Sequence, residues 1–87
     1  MANTPEFLAA AEKVKTLPVS PGNADLLQLY GLFKQATSGD VDTPRPGVFD
    51  VKNKAKWDAW KEKEGIKPEE AETLYMALVE KLSATAK

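Results

Sequence analysis

Proline and glycine interrupt this chain at intervals that leave room for helices of moderate length and for little else. Proline breaks the interior of a helix, and glycine is favoured where a helix closes in a left-handed conformation. These interruptions predict helices over residues 5–16, 23–38, 53–64 and 68–82, with a longer loop over residues 40–51. Because no segment alternates apolar and polar residues as a half-buried strand does, we predict an all-α fold, a bundle of four helices.

The ends of the predicted helices carry recognisable signals. Thr4 supplies a hydroxyl cap directly before Pro5, and proline suits the first position of a helix. Ser20 or Asn23 caps the second helix, and Gly39 closes it. The last helix carries apolar residues at helical spacing, namely Ala71, Leu74, Tyr75, Leu78, Val79 and Leu82.

The loop over residues 40–51 contains two prolines and a glycine, which exclude a continuous helix there. It also carries Val48, Phe49 and Val51 near its end. Large apolar side chains are most often found inside a protein. We therefore expect this loop to fold back and pack against the helices.

Length and composition limit the classes of function. With 87 residues, the chain is expected to form a single domain over residues 1–87. Its net charge of −1 disfavours a dedicated nucleic-acid-binding domain, which is usually strongly basic. The absence of cysteine and histidine excludes disulfides, iron–sulfur clusters, cysteine or histidine zinc sites and histidine-based catalysis. No secretory signal or membrane-spanning segment is predicted, so we expect a cytoplasmic protein.

The segment YGLFKQAT at residues 30–37 places Tyr30, Phe33 and Lys34 on one face of the second helix. An ammonium group beside two rings is suited to hold a phosphate while the rings cover a flat heterocycle. Gly31 inside this helix costs about 1 kcal/mol relative to alanine, which indicates a close approach to its backbone. The alternative is a structural role, with the rings in the core and the lysine extending to solvent.

A second block, KNKAKWDAW at residues 52–60, combines three lysines with two tryptophans. Lysines beside indole rings form a cationic patch suited to phosphates. The alternative is a solvated lysine face with two packed tryptophans, as in ordinary amphipathic helices. Two further functions stay open here. One is a module that docks a partner helix or peptide through Phe33, Trp57 and Trp60, and the other is single-stranded nucleic-acid binding, which the charge balance disfavours.

Catalysis has little support in the sequence. Carboxylates share helix faces in pairs such as Glu69 with Glu72 and Asp58 with Glu62, but carboxylates on helix surfaces are usually solvated. No histidine is available to activate a serine, and the chain contains neither a phosphate-binding glycine loop nor a dinucleotide-binding fingerprint. We therefore expect a binding protein that is not an enzyme and that needs no metal or cofactor.

Three blocks in this chain resemble the acyl-CoA-binding protein family. They are YGLFKQATSGD at residues 30–40, RPG at residues 45–47 and KAKWDAW at residues 54–60, in the family's order and spacing. The resemblance extends over nearly the whole chain. It implies a four-helix bundle of the acyl-CoA-binding protein type, which binds long-chain fatty acyl-CoA esters and does no chemistry on them.

The same resemblance implies a set of ligand-binding residues. Lys34 and Lys56 would contact phosphates, Ala11 and Lys15 would approach the adenine side, and Leu27 would contact the acyl chain. The complete implied set is Ala11, Lys15, Leu27, Tyr30, Gly31, Phe33, Lys34, Lys56 and Tyr75.

Two of the aromatic residues have implied positions along the ligand. Tyr30 would contact the nucleotide end, and Tyr75 the region between acyl chain and headgroup. Phe33 stands where many family members have tyrosine, so stacking is retained while a hydroxyl contact is lost. Asn53 replaces a common glycine. The implied role is a monomeric intracellular carrier and pool former of acyl-CoA, with transient contacts to lipid-metabolising enzymes or membranes.

Overall fold

The computed structural model describes residues 3–17 and 22–85. Across these residues the chain forms four α-helices and no strand: α1 (Pro5–Lys15), α2 (Asn23–Ser38), α3 (Val51–Lys61) and α4 (Pro68–Thr85). The predicted all-α fold with four helices is confirmed. Most of the predicted break between the first two helices, including the candidate cap Ser20, lies outside the described residues.

Local signals account for the ends of the first two helices. The Thr4 hydroxyl accepts a hydrogen bond from the Phe7 N–H at 3.2 Å, as expected of a helix cap. Gly22 caps α2, so Asn23 is the first helical residue and not the cap. Gly39 closes α2 with a φ of 80°, a conformation that favours glycine because it has no Cβ.

The third helix begins and ends earlier than the predicted residues 53–64. At its start, the Asp50 carbonyl accepts a hydrogen bond from the Lys54 N–H at 2.9 Å, so the helix begins at Val51. At its end, the Lys63 N–H donates to the Trp60 carbonyl at 2.9 Å. This bond spans three residues instead of the four of an α-helix, so the chain winds more tightly here. Gly65 follows with a φ of 92° and turns the chain towards α4.

The core lies where α1, α2 and α4 meet, because α1 packs on α4 and α2 packs against both α3 and α4. Phe7 is fully buried there, and its ring centroid lies 5.6 Å from that of Phe33 and 5.1 Å from that of Tyr75. Ring pairs at these separations attract each other in addition to burying apolar area. The buried cluster consists of Phe7, Leu29, Leu32, Ala36, Ala71, Tyr75 and Val79.

Glu72 is a buried carboxylate, so the expectation that the pair Glu69 and Glu72 is solvated is wrong for Glu72. Its Oε2 accepts hydrogen bonds from the side-chain amide of Asn3 and from the Thr4 N–H, both at 3.0 Å. The Asn3 amide also donates to the Ala36 carbonyl at 3.0 Å. These bonds satisfy the carboxylate and hold the start of α1 against α2 and α4.

Polar contacts fix the loop between α2 and α3. The Trp57 indole N–H donates to the Thr43 carbonyl at 2.9 Å. Arg45 donates to both carboxylate oxygens of Asp58, at 2.9 and 2.8 Å, in the two-pronged geometry that guanidinium groups favour. This pairing raises the pKa of Arg45 and lowers the pKa of Asp58. The loop is therefore attached to α3 through its polar groups.

Val48, Phe49 and Val51 do not pack into the core, which corrects the sequence expectation. Val48, Phe49 and Val51 are 68%, 99% and 67% exposed. The Asp50 N–H donates to the Gly47 carbonyl at 3.0 Å, so the chain reverses tightly here. This turn directs the Val48 and Phe49 side chains away from the helices, whereas Val51 is the first residue of α3.

Candidate ligand-binding site

Among the described residues α1 and α2 each pack on α4 and meet each other through the rings of Phe7 and Phe33, and a groove of about 590 Å³ lies between the two helices. We call it the apolar groove. The two helices form its walls, and Tyr75 of α4 lies at its base. It brings together five of the nine implied ligand-binding residues, Ala11, Lys15, Tyr30, Phe33 and Tyr75.

Polar groups lie at the rim and at the base of the apolar groove. At the rim, the Lys15 ammonium lies 3.5 Å from a carboxylate oxygen of Glu12, and both side chains are exposed. Exposed ion pairs contribute little, so Lys15 can exchange this partner for another anion. At the base, burial raises the pKa of the Tyr75 hydroxyl. Tyr75 therefore remains protonated at neutral pH and is able to donate a hydrogen bond into the groove.

A second groove, of about 400 Å³, lies between α2 and α3, and we call it the α2–α3 groove. It contains the implied residues Leu27 and Lys56. Leu26 lines both this groove and the apolar groove, so the two meet at that residue. The walls of the α2–α3 groove combine apolar side chains with lysines. They are formed by Asn23, Leu26, Leu27, Val51, Lys52, Ala55 and Lys56.

A smaller cavity of about 200 Å³, the lysine–tryptophan cleft, lies between α2, α3 and the loop that joins them. The Lys34 ammonium lies 4.9 Å from the centroid of the Trp60 ring, within the range of a cation–π contact. The Trp60 N–H donates to the Gly39 carbonyl at 2.7 Å, which fixes the ring. Tyr30, Lys34, Trp57 and Trp60 line this cleft.

Tyr30 lies where the cavities and the positive charges converge. It lines both the apolar groove and the lysine–tryptophan cleft. The Lys56 ammonium lies 5.6 Å from the centroid of its ring, and Lys34 follows one helical turn later on α2. Within the described residues neither lysine forms an ion pair. Each ammonium group lies over a ring and not beside a carboxylate, so an incoming anion displaces no ion-pair partner.

Gly31 packs against the main chain of α3. It is buried, and a Cβ at this position would lie 2.5 Å from the Ala59 carbonyl oxygen and 2.9 Å from the carbonyl carbon. The close approach that the sequence indicated is therefore made by the backbone of α3. This packing allows α2 and α3 to lie close together, and the implied contact of Gly31 with the ligand stays a prediction.

Sequence reasoning missed some residues that line the grooves. Leu8 is half-exposed in the apolar groove, on the same face of α1 as Ala11 and Lys15. Residues that are three and seven positions apart share one face of a helix, so the spacing of Leu8 from Ala11 and Lys15 could have revealed that these three residues line the groove together. Pro44 and Pro46, which line the lysine–tryptophan cleft, carry no such signal because the tertiary path of the loop positions them.

The aromatic residues considered for docking a partner do not form one exposed surface. Trp60 is buried, and its N–H is bonded to the main chain. Phe33 packs in the aromatic cluster, with its ring centroid 6.0 Å from that of Tyr75. The Trp57 N–H is bonded to the loop. These side chains therefore shape the core and the cleft.

Neither a metal-binding cluster nor a membrane-spanning helix occurs along residues 3–17 and 22–85. No group of three or more metal-ligating side chains is placed to hold a metal ion in this part of the chain. None of its helices has the length and apolarity needed to cross a bilayer. The candidate site thus consists of the two grooves and the cleft around Tyr30.

The fold and the site define a small helical protein with adjoining surfaces for an apolar group, a flat ring and anionic groups. The sequence profile of the family described as "Acyl CoA binding protein" matches residues 4–79. The chain belongs to the acyl-CoA-binding protein family. The resemblance stated from the three sequence blocks is confirmed.

Individual relatives agree with this assignment. The chain is 56% identical over 81 residues to acyl-CoA-binding protein homolog 1 of Caenorhabditis elegans, covering 93% of this chain and 94% of the relative. It is also 56% identical over 81 residues to the acyl-CoA-binding protein of Gossypium hirsutum, covering 93% and 91%.

Solved structures show the same fold. The crystal structure of Oryza sativa acyl-CoA-binding protein 2 matches with a TM-score of 0.87 at 51% identity, covering 94% of this chain and 96% of that one. The crystal structure of the Moniliophthora perniciosa protein matches with a TM-score of 0.92 at 39% identity, covering 99% and 85%. The fold is therefore of the acyl-CoA-binding protein type.

Proposed function

We propose that this chain acts as a single domain over residues 1–87 that binds long-chain fatty acyl-CoA esters. The observation that carries the proposal is the position of Tyr30 beside Lys34 and Lys56, where the apolar groove meets the lysine–tryptophan cleft. An acyl-CoA combines a flat purine, several phosphate charges and a long apolar chain. It therefore requires ring faces, cations and an apolar surface side by side. Membership of the family supports the same ligand.

The purine and the phosphates bind around α1 and α2 in this proposal. Ala11 and Phe33 offer the purine apolar and aromatic surface, and Lys15 lies at the rim of the same groove. Lys34 and Lys56 hold the phosphates. Moving each ammonium group from a ring face to a phosphate replaces a cation–π contact with charge-assisted hydrogen bonds, which are stronger.

The acyl chain follows the α2–α3 groove past Leu27, with Leu26, Val51 and Ala55 as further apolar walls. Tyr75 lies between the acyl chain and the headgroup. Each methylene buried there contributes about 0.8 kcal/mol, so four more methylenes add about 3 kcal/mol, or about 100-fold in affinity, until the groove is full. Preference for long acyl chains follows from this dependence.

The biological role in this proposal is that of a monomeric cytoplasmic carrier and pool former that leaves the thioester intact. A ligand held by burial and ion pairs alone dissociates unchanged. The protein is thus able to exchange acyl-CoA with lipid-metabolising enzymes or membranes in transient contacts. Binding also favours the folded state, because the unfolded chain has no site for the ligand.

Calorimetric titration of lysine variants with palmitoyl-CoA tests this assignment. Lys34→Ala and Lys56→Ala are each expected to weaken binding at least about tenfold, because hydrogen bonds to charged groups contribute about 1.5–3 kcal/mol. Lys67→Ala is the matched control, since Lys67 is exposed and lines none of the three cavities. Wild-type affinity in both site variants, with circular dichroism unchanged, contradicts the assignment.

A further inference from the structure

The turn that precedes α3 presents a cluster of apolar side chains to solvent. Val48 and Phe49 occupy its central positions, between the Gly47 carbonyl and the Asp50 N–H that closes the turn at 3.0 Å. Phe49 is 99% exposed, and Val48 and Val51 are 68% and 67% exposed. We call these three residues the apolar tip. They include half of the six exposed large hydrophobic residues in the described part of the chain.

The fold does not use the apolar tip for its own stability. The loop is attached to α3 by Arg45 and Trp57, which bond to Asp58 and to the main chain. Leu8 and Leu26 lie in the apolar groove, and Val51 of the tip also lines the α2–α3 groove, whereas Val48 and Phe49 line neither groove nor the lysine–tryptophan cleft. A cluster of exposed apolar residues at the apex of a turn indicates a contact outside the chain.

Positive charge accompanies the apolar tip. Between residues 48 and 56 the chain has Lys52, Lys54 and Lys56 and one acidic residue, Asp50, a net charge of +2 in a protein whose net charge is −1. The Asp50 carboxylate accepts a hydrogen bond from the Asn53 amide at 3.1 Å. Lys52 is exposed beside the tip, and Lys54 follows one turn into α3, where its charge also interacts with that of Asp58.

We propose that the apolar tip, with Lys52 and Lys54, docks this protein on an anionic lipid bilayer, with Phe49 entering the interface. Aromatic and aliphatic side chains combined with lysines are typical of segments that lie at the boundary of headgroups and acyl chains. A projecting turn fits between mobile headgroups. It offers too small a surface for a stable protein interface, which needs about 800 Å² from each partner.

The apolar tip lies next to the α2–α3 groove. Val51 and Lys52 line the α2–α3 groove, which the proposed function assigns to the acyl chain. Docking through the tip brings that groove to the bilayer surface, where acyl chains are delivered or collected. The use of the docking surface rests on the proposed function, whereas the docking itself is a property of the ligand-free protein.

Co-sedimentation of the ligand-free protein with lipid vesicles tests the docking. We expect binding to vesicles of phosphatidylcholine mixed with phosphatidylserine, and much weaker binding to phosphatidylcholine alone. Phe49→Ser is expected to lower the partition coefficient about tenfold, and Lys52→Gln about fivefold. The matched controls are Leu74→Ser and Lys67→Gln, which replace exposed residues outside the tip and are expected to remain within about twofold of wild type.

The proposal is overturned if the wild type binds both kinds of vesicle equally, or if Phe49→Ser retains wild-type partitioning. It is also overturned if sedimentation without lipid shows a dimer that Phe49→Ser dissociates, because the tip would then contact a second copy. Palmitoyl-CoA titration without vesicles separates the two claims. A Phe49→Ser variant that binds palmitoyl-CoA as the wild type does but has lost vesicle binding supports the docking surface.

Discussion

Replacement of Gly31 by alanine tests the packing of α2 against α3 most directly. The new methyl group would lie 2.5 Å from the Ala59 carbonyl oxygen, a distance that real Cβ atoms essentially never show. The obstacle is the main chain of α3, which no change of rotamer relieves. To accommodate the methyl group, α3 must move away from α2 and carry Lys56 away from Tyr30.

Two opposing contributions set the size of the effect. Alanine stabilises a helix interior by about 0.5–1 kcal/mol relative to glycine. Overpacking costs about 1–3 kcal/mol, and the upper part of this range applies because the clash is with backbone. We therefore expect Gly31→Ala to lower the free energy of unfolding by about 1–2 kcal/mol. For a domain of this size that corresponds to a fall in Tm of about 4–16 °C.

Thermal and urea denaturation, followed by circular dichroism, measure this difference. The matched control is Gly47→Ala, because a Cβ at Gly47 meets nothing within 4 Å and its φ is not positive. We expect the control to keep or raise the stability by up to about 1 kcal/mol, through the lower entropy of the unfolded chain. Stability of Gly31→Ala equal to or above wild type would refute the packing argument.

Two further predictions concern the core and the response to acid. Phe7→Ala is expected to lose about 3–5 kcal/mol in urea denaturation, because its fully buried ring contacts two others, whereas the half-exposed neighbour Leu8→Ala loses about 1 kcal/mol or less. Equal losses would contradict the assigned core. The pKa of Asp40 is lowered from 3.8, chiefly by the Gly65 N–H and next by the Gln35 amide. Since the folded-state pKa is below the unfolded one, the stabilisation from Asp40 is complete well above pH 3.8 and is lost as the pH falls through the folded-state value. Asp40→Asn should therefore lose less stability than wild type when urea denaturation is repeated from about pH 5 to about pH 2, and parallel losses would refute this role.

The parts of the fold that were predictable depend on local sequence. The Thr4 cap, the closure of α2 at Gly39 and the apolar spacing of α4 all reflect interactions within one or two helical turns. Glu72 was assigned wrongly because its partners Asn3 and Thr4 lie more than sixty positions away. Burial of a carboxylate through such distant contacts has no signature in the local pattern.

The same distinction holds for the candidate site. Tyr30 and Lys34 share one helix face, so their proximity was predictable from spacing. The position of Lys56 over Tyr30 depends on the packing of α2 and α3, and the family resemblance indicated only that both residues contact the ligand. The exposure of Phe49 was missed because a turn that reverses the chain, and not the apolar character of the residue, decides where its side chain points.

Calorimetric titration with palmitoyl-CoA, coenzyme A and palmitate in separate experiments tests the central claim, that one ligand occupies the groove and cation sites together. We predict one-to-one binding of palmitoyl-CoA at least about 100-fold tighter than that of coenzyme A, since the acyl chain adds apolar burial to the same phosphate contacts. Palmitate should also bind much more weakly than the ester, because it lacks the phosphates that Lys34 and Lys56 hold. Binding of palmitoyl-CoA no tighter than that of coenzyme A would contradict the account.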